Sequence, residues 1–212
     1  DGEDQIIRFP QPTVLRTDYD LDSVLPGFFD ELELALDASI RDDKSFRIPD
    51  NMIGTALSLA RYLPSSYRNN PDPQAKEFQI SGLLLSGLLK RFESSSDAFA
   101  KTCRRMAIAH DEFAKGLDRG LVLRGDSLSE WINSETDDVD EYLSAENVAE
   151  KAMLYDVPAL LKAVNADKTL LEKWATAAES VTPNIDPKLA QLVENLAEIA
   201  ARAKSEAATE QE

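Results

Sequence analysis

Leu88-Leu89-Lys90-Arg91-Phe92-Glu93-Ser94-Ser95-Ser96-Asp97-Ala98-Phe99 joins two long helical patterns, and its reading decides the fold. Upstream, Ile80, Leu83, Leu84, Gly87 and Leu88 recur at helical spacing and make one apolar stripe. Lys90 and Arg91 extend that helix at the end where cations favour the backbone dipole. Ser94, Ser95 and Ser96 are of the type that accepts backbone N–H groups at a helix start, and Asp97 adds a carboxylate to the first turn. Downstream, Phe99, Thr102, Cys103, Met106, His110, Phe113 and Leu117 form the next stripe. The spacing predicts helices over roughly Gln74–Phe92 and Asp97–Leu117. The same basic and hydroxyl side chains at a helix N-terminus also suit a phosphate.

Further helical patterns lie on both sides. Pro26 opens one, with Phe28, Phe29, Leu32, Leu36 and Ile40 on its stripe. Ile53, Leu57, Leu59, Ala60 and Leu63 predict a second, closed by Pro64-Ser65-Ser66. Asn69-Asn70-Pro71-Asp72-Pro73 reads as a loop. Asp126-Ser127 caps a shorter helix containing Trp131 and Ile132. Beyond an acidic linker at Ser134–Glu141, three more are expected at Val157–Val164, Leu170–Val181 and Leu189–Ala203. Residues 5–21 differ: Pro10 and Pro12 forbid a helix interior, so this is an extended arm in which Thr13–Asp20 suits a short edge strand. No other strand is evident. The expected fold is all-α, an irregular bundle of seven to nine helices with an extended N-terminal arm.

The 212 residues are 43% hydrophobic and 29% charged, a globular balance. The longest nearly apolar run, Ile80–Leu89, is too short to span a bilayer, and no secretory signal pattern is visible. A single cysteine, Cys103, excludes an internal disulfide framework, and a reducing cytoplasm is the simplest expectation. The net charge of −16 is uneven. Residues 1–50 carry 5 Lys and Arg against 13 Asp and Glu, residues 51–125 carry 11 against 7, and residues 126–212 carry 7 against 19. Any nucleic-acid contact is therefore expected in the middle third, because backbone affinity comes from cations that neutralise phosphates.

The candidate phosphate contacts are Lys90, Arg91, Ser94 and Ser95 at the junction and Arg104 and Arg105 on the following helix. His110, the only histidine, lies on the packed face and reads as a core residue. Arg105 and His110 also fit the Arg-x4-His spacing of HEPN ribonucleases, which are all-α, although Met106 stands where that family usually has a polar residue. There is no Gly-x4-Gly-Lys-Ser/Thr phosphate loop, no Gly-x-Ser-x-Gly elbow and no ordinary zinc ligand set. Asp137, Asp138, Asp140 and Glu141 lack the spacing of a calcium loop. No catalytic residue, cofactor site or metal site is expected in the chain itself.

An apolar helix running into Lys90-Arg91-Phe92-Glu93-Ser94-Ser95, then Ala98-Phe99 and a second long helix, resembles the α-helical region between the two RecA-like lobes of Swi/Snf-like (superfamily 2) helicase-type ATPases. Phe9-Pro10 through Thr17-Asp18-Tyr19-Asp20-Leu21, Leu25-Pro26-Gly27-Phe28, Ala60-Arg61-Tyr62-Leu63-Pro64-Ser65-Ser66-Tyr67 and Ile185-Asp186-Pro187-Lys188-Leu189 extend the likeness in order along the chain. The resemblance implies a non-catalytic insert of a bacterial DNA-dependent translocase that couples lobe motion to duplex DNA or to a partner. ATP and Mg would belong to lobes outside residues 1–212. It divides the chain into an arm (1–25) leaving a first lobe, a helical core (26–133), an acidic linker with a helical extension (134–182) and a C-terminal helix (183–212) leading to a second lobe. Two other expectations stand beside it: an acidic protein-interaction module without a nucleic-acid role, and the HEPN-like ribonuclease acting through Arg105 and His110.

Overall fold

A computed structural model describes residues 14, 16–37, 47–70, 75–125 and 147–209. Within them lie five α-helices: α1 (Phe28–Asp37), α2 (Ala75–Ser94), α3 (Ser96–Asp118), α4 (Val157–Glu179) and α5 (Pro187–Thr209). Short 3-10 turns occupy Asp50–Met52, Pro64–Tyr67 and Ala152–Leu154. Two strands, β1 (Leu121–Gly125) and β2 (Asn147–Lys151), pair antiparallel with Leu121 opposite Lys151 and Gly125 opposite Asn147. Among the described residues no helix is long and apolar enough to cross a membrane.

The centre is an antiparallel pair, α3 against α4. Its direction follows from cross-contacts: Arg104 meets Glu179, and Asp111 meets Lys168. Each helix buries one stripe. On α3 the stripe includes Phe99, Cys103, Met106, His110, Phe113 and Leu117, and on α4 it is Leu160, Ala163, Val164, Asp167, Leu170, Leu171, Trp174, Ala175 and Ala178. At one end α1 and α2 close over this pair through ring contacts. Phe28 lies 5.5 Å from Phe92 and 6.0 Å from Phe99, and Phe99 lies 6.4 Å from Trp174. Truncating a ring such as Phe99 to alanine would cost about 3–5 kcal/mol. At the other end Val122 of β1, Tyr67 and Tyr155 pack on Phe113, Leu160 and Val164.

Local chemistry sets the helix boundaries. Ser95 is the only residue between α2 and α3, and its Oγ accepts the Ala98 N–H at 3.0 Å. α3 stops where Gly120 takes φ +79°, a left-handed conformation that costs glycine nothing, and its N–H bonds the Leu117 carbonyl at 2.9 Å. Asp156 caps α4 by accepting the Ala159 N–H, and Pro158 sits in the first turn, where its missing donor is not needed.

Several expectations need correction. The helix expected through Ile53–Leu63 is absent. Its amides are given elsewhere: Ser58 N and Ala60 N bond the Asp167 carboxylate, Leu57 N bonds the Ala35 carbonyl, and Leu59 sits at φ +53°. The helices expected at Val157–Val164 and Leu170–Val181 are one helix. The polar run at 165–169 does not interrupt it, because Asp167 occupies a core position in register with its apolar neighbours. Thr13–Asp20 supplies no strand among its described residues, since no second strand lies beside it and Thr17 instead bonds Asn195 of α5. Conversely, β1 and β2 were not evident in the sequence; their pairing bridges a 21-residue separation, 126–146. The described helices number five where seven to nine were expected. The helix at Trp131, the linker at Ser134–Glu141, Ile40 and loop residues 71–73 lie outside the described residues.

Candidate functional site

The α2–α3 junction presents its cations in unequal states. Lys90 is exposed and makes no ion pair among the described residues, whereas Arg91 is half-buried and has a partner within the chain. Ser95 spends its hydroxyl on the cap, Ser96 is buried, and Ser94 is exposed. The last carbonyls of α2, those of Glu93 and Ser94, accept hydrogen bonds from Lys188, which stands at the start of α5. A helix C-terminus leaves such carbonyls without intrahelical donors, and an ammonium there is favoured by the dipole. Lys188 therefore caps α2 from a distance of 94 residues in sequence.

On α3, Arg104 and Arg105 part company. Arg104 grips Glu179 through two bonds of 2.8 and 2.7 Å and adds Thr176 Oγ1 at 3.0 Å. The side-chain hydrogen bond from Arg104 holds the Glu179 carboxyl below its ordinary range, and the same bond raises Arg104. Arg104 is thus committed to the α3–α4 rim. Arg105 is half-buried and makes no hydrogen bond or ion pair among the described residues. A second rim cluster joins Asp111 to Lys115 and Lys168. Hydrogen bonds from these two lysines hold the Asp111 carboxyl at about 2.

The most polar buried point is Asp167, which sequence reasoning missed. Its carboxylate accepts Ser58 N at 2.6 Å, Ser58 Oγ at 2.7 Å and Ala60 N at 3.0 Å. A left-handed residue between two amides turns both N–H groups to one side, forming a backbone concavity that holds anions. Leu59 is that residue. Holding a non-glycine residue there costs on the order of 1 kcal/mol, which the three bonds to the carboxylate offset. The signal in the sequence was the position of Asp167, three residues after Val164 and three before Leu170. A carboxylate on an apolar stripe implies donors arriving from another segment.

His110 lies against this hub and is fully buried. Its Nδ1 is 2.7 Å from the Met106 carbonyl, so Nδ1 carries the proton and donates it. Nε2 then faces Asp167 Oδ2 at 3.8 Å with no hydrogen-bond partner, under the edge of the Tyr62 ring. Serine, histidine and aspartate thus meet, but not as a nucleophilic triad. Ser58 donates to the carboxylate instead of the imidazole, and no solvent reaches the ring. The cluster organises the 57–60 loop.

One cleft of about 290 Å³ opens at the start of α4. Arg47 and Lys162 line it, but so do Asp50 and Asp156, and Arg47 is bonded to Asp156 and to the Ser66 carbonyl and lies over the Tyr67 ring. Nearby, Glu150 accepts from Arg68 and from the Tyr155 hydroxyl; burial, then the Glu150 carboxylate, raises the Tyr155 phenol. Among the described residues no group of three or more His, Cys, Asp or Glu side chains is arranged to hold a metal ion.

α5 is the remaining unusual surface. No described side chain from Pro187 to Ser205 is buried. Ile185, Leu189, Leu192, Val193, Leu196 and Ile199 recur at helical spacing and are each 38–58% exposed. Asn195 donates to Thr17 Oγ1 at 2.8 Å, and the Lys188 ammonium lies 5.6 Å from the Tyr19 ring centre. Residues 17–19 and the first half of the last helix thus lie together, with Lys188 reaching the end of α2. Comparison with family models, with curated proteins and with solved structures returns no match.

Proposed function

We propose that this chain is a helical module of a larger protein, the region between the two motor lobes of a Swi/Snf-like helicase-type ATPase. In this reading it couples lobe motion to DNA and performs no chemistry itself. The observation that carries the modular part is the uncovered stripe on α5. An amphipathic helix gains its stability mainly from covering its apolar face, so a stripe left in water calls for a surface supplied by another segment. The approach of residues 17–19 to Lys188 and Asn195 supports the same reading, since an insert needs its entry and exit close together. The motor itself rests on the ordered resemblance around Lys90–Phe99 and Asp186–Leu189.

Lys90, Arg91 and Arg105 are the proposed contacts to duplex DNA, with Ser94 as a neutral donor. Arg104 and Ser95 are less suited, being engaged by Glu179 and by the Ala98 amide, and Arg91, which also has a partner within the chain, would exchange it for a phosphate. Nucleotide and magnesium would belong to the flanking lobes. The test is anisotropy of a short fluorescent duplex titrated with the chain at several salt concentrations. Binding should weaken with salt, and the triple change Lys90→Gln, Arg91→Gln, Arg105→Gln should reduce the log–log salt slope by about one unit per lost phosphate contact. No salt-sensitive binding would favour the second reading, an acidic protein-interaction module, which the net charge of −16 and the α5 stripe also suit. The ribonuclease reading on Arg105 and His110 draws no support from a histidine buried beneath Tyr62.

A further inference from the structure

The attachment of α5 is concentrated at its first turn. Asp186 caps the helix, its Oδ1 accepting Lys188 N at 2.9 Å and Leu189 N at 3.1 Å. Lys188 then reaches across to the Glu93 and Ser94 carbonyls while its ammonium lies near the Tyr19 ring. One turn of contacts thus joins three segments: the arm, the end of α2 and the start of α5. Farther along α5, Asn195 bonds Thr17 of the arm. Between α4 and α5 the backbone makes a tight turn, with Ile185 N and Asp186 N both on the Thr182 carbonyl. With no described side chain of α5 buried, apolar packing does little to fix its direction, and polar contacts become the means of doing so.

We propose that Lys188 is a positioning residue, the pin that sets the angle at which α5 leaves the helical body. Its ammonium serves as the missing donor for the last turn of α2. The angle of α5 is therefore tied to the geometry of the α2–α3 junction. A shift in the last turn of α2 moves the two carbonyls and carries the start of α5 with them. If α5 leads to a second lobe, a phosphate drawn to Lys90 or Arg91 would be felt there. That consequence rests on the function proposed above, whereas the pin itself rests only on the contacts of Lys188.

The test is a distance distribution between spin labels placed at Ser86→Cys on α2 and Ala201→Cys on α5, both exposed. Cys103 is fully buried and stays in place. The chain with native Lys188 should give one narrow distance. Lys188→Met should widen the distribution about twofold or more, because a helix with no described side chain buried belongs to the least stable part of a structure. Lys188→Arg, which keeps a donor of similar reach, should restore the narrow distribution. Lys204→Met, on the exposed part of the same helix, should leave it unchanged. An unwidened distribution in Lys188→Met would overturn the proposal, and so would widening that Lys188→Arg fails to reverse. Loss of the helical circular dichroism in Lys188→Met would also overturn it, since a surface pin does not hold the body together. DNA binding does not enter this test, so failure of the pin and failure of the proposed function are separable.

Discussion

Replacing Asp167 should show how the loop at residues 57–60 is held. The carboxylate accepts three hydrogen bonds, two from backbone amides and one from a hydroxyl. Bonds to a charged group contribute about 1.5–3 kcal/mol each, and a buried donor left unpaired costs about 1–3 kcal/mol. Ala60 is fully buried, so its amide gains no water when the carboxylate is lost, whereas half-buried Ser58 can be partly hydrated. Asp167→Ala also leaves Leu59 in a left-handed conformation with nothing opposite. The expected loss is about 3–5 kcal/mol for Asp167→Ala, and about 2–3 kcal/mol for Asp167→Asn, which keeps one acceptor. In a chain of this size each kcal/mol moves Tm by about 2–4 °C, so Asp167→Ala should melt about 6–20 °C lower. Calorimetry and urea unfolding measure the global loss. Amide exchange measures the local one, and the Ser58 and Ala60 amides should exchange about 100-fold faster in Asp167→Asn. If both variants unfold within about 0.5 kcal/mol of the native chain, the carboxylate does not hold this loop.

Acid should loosen the α3–α4 rim first. Asp111 is held at about 2 by Lys115 and Lys168, and Glu179 is lowered by Arg104. A depressed carboxylate stabilises the fold above its unfolded pKa and loses that contribution as pH falls through the folded value. The Tm of the native chain should therefore fall between about pH 4 and pH 2, and its advantage over Asp111→Asn should close across the same window. Arg104→Gln should lower Tm slightly and leave any duplex affinity unchanged, the opposite pattern from Lys90→Gln in a salt titration. Leu192→Gln with Leu196→Gln should leave urea unfolding of the body within about 0.5 kcal/mol, because both residues are already exposed. Burial pushes the Cys103 thiol far up, so a disulfide reagent should modify it only as fast as the chain unfolds.

The helices around the junction were readable because each signal was local. Ser95, Asp97 and the stripe from Phe99 to Leu117 lie within two dozen residues, and the structure places α3 over Ser96–Asp118. The missed features share a different property. Asp167 holds amides 107 and 109 residues away, Lys188 caps carbonyls 94 and 95 residues away, and β1 pairs with β2 across 126–146. The apolar residues of the 53–63 segment suggested helix because their spacing was counted without asking where the amides would find acceptors. The basic pair Arg104-Arg105 showed the same limit. Sequence marked both as cations, but Glu179, on the next helix of the central pair, claims only the first.

The β1–β2 pair has a consequence for what the chain tolerates. Gly125 and Asn147 face each other across one ladder, about 4.8 Å apart, a spacing common to all paired strands. The ladder therefore holds Gly125 and Asn147, the two ends of the intervening 21 residues, one strand spacing apart. For any flexible connection between ends so held, four residues in place of 21 would change the closure entropy by only about 1.5 kcal/mol, in favour of folding. What the ladder asks of any connection is thus only that its two ends meet at Gly125 and Asn147, beside α3.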